Sequence, residues 1–159
     1  MRDAETISMA MTAAETGHLV LGTLHTTSAV KTVDRIVDAL PVEQREQTKS
    51  FLAQSLLAVI SQVLLKTPDA RARRAVCEIL IMTKAIAKLI QTEQTFQIPS
   101  LLQTGRDFGM QLLDQALLAA INAREVDPDE AYAYASDKRP FQKLVSDPGL
   151  LPKADLAGA

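Results

Sequence analysis

Apolar and polar positions along the chain alternate between helical and extended spacing. Asp3 can cap a helix carrying Ile7, Met9, Ala10, Ala13 and Ala14, and Gly17 stands where such a helix would stop. His18 to His25 reads H-L-V-L-G-T-L-H, a short apolar run that predicts a buried strand. A second helix should start at Thr27 or Ser28. Val30, Val33, Ile36, Val37 and Leu40 give it one apolar face, and Pro41 closes it. Val42 to Leu65 is the longest helical pattern, with Phe51, Leu52, Ser55, Leu56, Val59, Ile60 and Val63 on one broad face; its last residues could turn to strand. Thr67-Pro68-Asp69-Ala70 is a turn signal, and Arg74 to Met82 is rich in β-formers, so a hairpin is expected, roughly 62–66 with 74–81.

Thr83 should cap a helix through about Glu93, and Pro99 should interrupt the next stretch. Gly105 and Gly109 mark a polar loop before a helix from about Met110 to Ala123. Asp127-Pro128-Asp129-Glu130 combines a cap, a proline at the first helical position and an acid three residues after the cap. A short helix is expected over Arg139 to Val145, then a loose tail over 146–159. The first strand candidate follows a helix that no strand precedes, so the chain reads as starting inside a longer α/β layer.

Composition narrows the class. The 159 residues suit one domain, and 47% hydrophobic with 23% charged residues excludes a wholly disordered chain. A net charge of −2 gives no general pull toward nucleic acid or anionic lipid. The uncharged run Ser50 to Leu65 is 16 residues long and contains several polar side chains, too few apolar positions for a membrane span. Met1-Arg2-Asp3-Ala4-Glu5 is not a signal peptide, and Cys77 alone makes neither an internal disulfide nor a multi-cysteine zinc site; a reducing cytoplasm is the simplest compartment. With no Trp and 4% aromatics, stacking on single-stranded nucleic acid is not expected.

Gly17 and Gly22 have the spacing of a phosphate loop, but Thr23 follows where Lys is needed, and the glycines flank the expected strand instead of joining strand to helix. His18 and His25 are seven apart, which in a strand puts them on opposite faces, so they make no shared metal site. Pattern alone favours a structural role for one or both. Yet His25 precedes Thr26-Thr27-Ser28 at the carboxyl end of its run, where α/β sheets gather ligands, and an imidazole there can meet a terminal phosphate. Cys77 sits among apolar neighbours as an inert buried thiol. Arg71, Arg73 and Arg74 read as a solvated hairpin tip, with contact to an acidic partner as the functional alternative.

Longer strings carry a resemblance. T-A-A-E-T-G-H-L-V-L-G-T-L-H-T-T (Thr12 to Thr27) resembles the histidine box of the type II/IV secretion and pilus motor ATPases. Met1-Arg2-Asp3-x-Glu5-Thr6-Ile7 resembles the residues after that family's Walker B segment. Ile60-Ser61-Gln62 and Q-I-P-S-L-L-Q-T-G-R-D-F-G-M-Q-L-L-D-Q-A-L (Gln97 to Leu117) are similar to the PilT-type retraction ATPases, and the likeness covers about residues 1–145.

That resemblance implies an α/β fold: the C-terminal part of a RecA-like P-loop ATPase domain, an incomplete sheet with a helical C-terminal bundle. Residues 1–82 would be core, 83–145 the helical subdomain and 146–159 a tail. It implies membership of a homo-hexamer that hydrolyses ATP with Mg2+ and powers type IV pilus retraction and twitching. Its expected place is cytoplasmic, peripheral at the inner-membrane face beside the pilus platform proteins, with no nucleic acid and no membrane span. His25 and His18 would be catalytic, Gly22, Thr23 and His25 would face the nucleotide, and no protein-held metal is expected. Walker A, the acidic box and the Walker B acid have no counterpart in this sequence, so its own ATPase status stays open, and weak ATP binding is expected. The alternative is a non-catalytic interaction module. A-I-A-K-L-I-Q-T (Ala85 to Thr92) aligns with the family's A-I-R-N-L-I-R-E, so Ala87, Gln91 and Thr92 replace two arginines and a glutamate, while Glu93 comes one place late. The lone cysteine favours the retraction branch over the zinc-bearing assembly branch.

Overall fold

The computed structural model describes residue 1 and residues 3–151. The chain divides into two compact units, one of residues 1–61 and 77–112, the other of residues 62–76 and 113–159. Elements run α1 (Ala4–Glu15), α2 (Ala29–Asp38), α3 (Arg45–Ser55), β1 (Ala58–Lys66), β2 (Arg73–Ile81), α4 (Lys84–Gln91), α5 (Ile98–Thr104), α6 (Leu113–Asn122) and α7 (Pro128–Tyr134), with short 3-10 turns between several of them. Among the described residues the sheet is the hairpin β1–β2, whose strands supply residues to both units.

Helix ends follow local chemistry. Asp3 caps α1 by accepting from the Thr6 amide, Ser28 caps α2 through the Lys31 amide and Thr83 caps α4 through the Ile86 amide. Each such cap stabilises by about 1 kcal/mol. α1 ends in a Schellman turn: the Gly17 amide donates to the Ala14 carbonyl and the His18 amide to the Ala13 carbonyl. Gly17 has φ +89°, which a Cβ would oppose.

In the first unit, Ile7, Val33, Ile36, Leu52, Val59, Leu80, Ile86, Ile90, Ile98 and Leu102 form the core, and α3 packs on α4. Pro99 opens α5 instead of interrupting a segment, because the first helical turn needs no amide donor there. The expected helix through Leu65 stops at Ser55. From Ala58 onward burial alternates with period two, Val59, Ser61 and Leu65 inward and Ile60 and Leu64 outward, and the β2 ladder takes over the backbone bonds. The hairpin is accordingly longer than expected. Gln111 bridges to Ile79, so the last helix of the Gly105–Gly109 region starts at Leu113 and not near Met110.

In the second unit, Leu65, Val76, Leu117, Val126, Ala131 and a fully buried Phe141 form a separate core. Asp127 caps α7 by accepting from the Asp129 and Glu130 amides. The Asp114 carboxylate takes the Ser136 and Asp137 amides at 2.8 Å each, pinning the chain as it leaves α7. The helix expected over 139–145 is a series of turns. Pro140 has no amide to donate, and the Arg139 side chain is committed to Asp137, whose carboxyl it holds down at about 2. Most of the expected tail, residues 152–159, lies outside the described residues.

Candidate functional site

The segment from Thr16 to Thr32, in the first unit, carries the four residues expected at the nucleotide, His18, Gly22, Thr23 and His25. It leaves the Schellman turn of α1, runs extended from His18 to Thr26 and enters α2 through Thr27 and Ser28. The expected buried strand is not there. Among the described residues no neighbouring strand completes a ladder, and Leu19 and Leu21 are 75% and 89% exposed. A period-two register persists nonetheless: Val20 and Leu24 are half-buried, while Leu19, Leu21, Thr23 and His25 face outward.

Both imidazoles are exposed. His18 Nδ1 lies 3.0 Å from the Thr16 hydroxyl, which donates to the Ala13 carbonyl at 2.8 Å, so His18 is steered by the end of α1. A Cβ on Gly22 would meet only the flexible tip of the Met1 side chain, beside the point where the Met1 nitrogen donates to the Thr23 carbonyl (2.5 Å). Beyond His25 comes a chain of hydroxyls. Thr26 and Thr32 hydroxyls meet at 2.6 Å, the Thr32 hydroxyl also bonds the Ser28 carbonyl, and Lys31 Nζ donates to the Thr27 hydroxyl at 3.2 Å.

Sequence reading missed the group that anchors this corner. Glu78, on β2, is 6% exposed, and its carboxylate accepts from the Ala29 amide at 2.7 Å. A buried carboxylate thus occupies the positive end of α2. A signal existed: Val76, Glu78 and Leu80 share the inward register of β2, and an acid in such a register demands a donor. Cys77, expected buried, is only half-buried on the opposite register.

A cavity of about 240 Å³ in the same unit is lined by Asp34, Arg45, Lys49 and Glu93 among others. Burial raises the Asp34 carboxyl, Asp38 raises it further, and Thr95 opposes them. α4 ends beside it with Ala87 half-buried, Gln91 and Thr92 exposed, and Glu93 in the left-handed region at φ 57°, its carboxylate on Lys49 at 2.5 Å. Among the described residues no three His, Cys, Asp or Glu side chains are grouped so as to hold a metal ion.

Residues 1–71 match the family described as type II/IV secretion system protein. A twitching motility protein of Neisseria gonorrhoeae is 54% identical over 131 residues, 82% of this chain and 35% of that protein. The chain belongs to the type II/IV secretion system proteins. Within them it is of the PilT type. The type IV pilus retractation ATPase PilT of Pseudomonas aeruginosa is 50% identical over 133 residues, 79% of this chain and 38% of that protein. A crystal structure of the pilus retraction motor PilT with bound ADP aligns at TM-score 0.78 and 38% identity, covering 88% of this chain and 39% of that one. This secretion-family chain therefore spans little more than a third of these relatives, and its α/β fold is that of part of a RecA-like ATPase domain.

Proposed function

We propose that this chain contributes the histidine segment of an ATP-hydrolysing hexameric motor for type IV pilus retraction and twitching motility. The observation that carries the reading is the 50–54% identity to retraction proteins across about four-fifths of the chain. The exposed setting of His25 beside the hydroxyl-rich entry to α2 is compatible with it. Residues 1–82 would serve as part of the ATPase core and 83–145 as the helical subdomain. The motor would work at the cytoplasmic face of the inner membrane against the pilus platform.

In this reading His25 is a phosphate-facing donor, with Thr23 and Gly22 shaping the approach and His18 held back by Thr16. Phosphoryl transfer is catalysed by positioned charge more than by covalent chemistry, so an imidazole that gains a bond as charge develops is sufficient for a role. ATP with Mg2+ would supply the transferable phosphoryl group. No G-x-x-x-x-G-K-[ST] occurs in this sequence, so we infer that the chain alone holds ATP weakly. Retraction is assigned from overall identity; α4, lacking guanidiniums at Ala87 and Gln91, does not support it.

The test is a chimera in which residues 1–145 replace the matching stretch of the Pseudomonas aeruginosa PilT. The chimera should hydrolyse ATP, and His25→Ala should lower kcat about tenfold or more with the oligomer intact by mass photometry. Unchanged turnover removes His25 from the chemistry.

A further inference from the structure

The hairpin tip of the second unit carries a feature the motor reading does not use. Residues 67–74 and the end of α6 enclose an open groove of about 500 Å³. Arg73, Arg74 and Arg124 line it against two acids, Asp69 and Glu125. Both acids are already engaged. Asp69 accepts from the Thr67 hydroxyl at 2.5 Å and the Arg71 amide at 3.1 Å, and Glu125 holds Arg74 Nε at 2.9 Å. Arg73 acts on Glu130 only at longer range, and neither it nor Arg124 has an ion-pair partner among the described residues. Two guanidiniums without ion-pair partners among the described residues therefore line one groove.

The backbone adds an independent argument. α6 ends in a Schellman turn, with the Arg124 amide on the Ile121 carbonyl and the Glu125 amide on the Ala120 carbonyl. The position that ordinarily takes glycine holds Arg124 at φ 58°. Arg124 thus holds a backbone position that favours glycine while its guanidinium has no ion-pair partner among the described residues.

We propose that this groove docks an acidic polypeptide segment, with carboxylates of a partner protein seated on Arg73 and Arg124. Guanidinium forks match carboxylates two bonds at a time. Nucleic acid fits worse: no aromatic side chain lines the groove for a base to stack on.

Fluorescence anisotropy with labelled hexaglutamate, at low salt, tests this on the whole chain. Binding should saturate, weaken on adding salt, and fall about tenfold in Arg73→Ser/Arg124→Ser, whose altered residues are both exposed. Arg124→Gly should weaken binding while leaving Tm equal or higher, because glycine accepts the left-handed backbone. Three results overturn the proposal. One is no saturable binding. Another is oligothymidylate of equal charge binding as tightly as hexaglutamate. The third is a loss of Tm with Arg124→Gly, which would show that Arg124 is there for the fold.

Discussion

Lys49 is buried and its two acids are not: its side chain is 6% exposed, against 82% for Glu46 and 72% for Glu93. Removing the lysine leaves two solvated carboxylates, whereas removing the acids strands an ammonium. Lys49→Met should hold Tm to within about 3 °C, and Glu46→Gln/Glu93→Gln should lower it by more, both read by thermal circular dichroism. Acid should discriminate further. Lys49 holds the Glu93 carboxyl below its ordinary 4.5. A depressed acid contributes stability above that ordinary value and loses it as pH falls through the lowered one. Urea midpoints should therefore drop on acidification in the parent chain, and Lys49→Met should flatten that drop; equal slopes would deny the pair any role.

At the level of elements, most caps were readable because each is written within a few residues. Asp3, Ser28, Thr83 and Asp127 all cap where their helices were expected to begin. Pairing partners are remote and were not readable. Leu52, Leu56, Val59 and Val63 satisfy a helical repeat, but Val59 and Leu65 face the core because β2 lies alongside. The extended H-L-V-L-G-T-L-H failed as a buried strand for the converse reason, a strand pattern with no described neighbour. Gly17→Ala should destabilise by about 1–2 kcal/mol, since nothing crowds a Cβ there and only the backbone objects. Gly22→Ala, where only the flexible Met1 tip must give way, should change the urea midpoint far less.

For the molecule as a whole, apolar exposure is the governing feature. Leu19 and Leu21 in the extended segment and Leu57, Ile60 and Leu64 near or on β1 all stand out to solvent. An unpaired extended stretch with exposed leucines is an invitation to association. Sedimentation velocity should show concentration-dependent self-association that Leu19→Ser/Leu21→Ser reduces; a parent that stays monomeric at every concentration would contradict this. The candidate site was legible where it rests on residue strings, which placed His18, Gly22, Thr23 and His25 in one segment. Glu78 was not, because its 2.7 Å bond spans 49 residues of sequence.

That bond has a functional corollary. Helix amino termini commonly greet phosphates with an unsatisfied, far-reaching positive field. In α2 that field is quenched from inside by an anion the chain itself supplies. Under the proposed motor role, a phosphate reaching His25 would meet imidazole, hydroxyls and the Lys31 ammonium, and not an open helix terminus. Opening that terminus with Glu78→Gln would therefore alter the electrostatics of the corner that His25 precedes without touching the histidine itself.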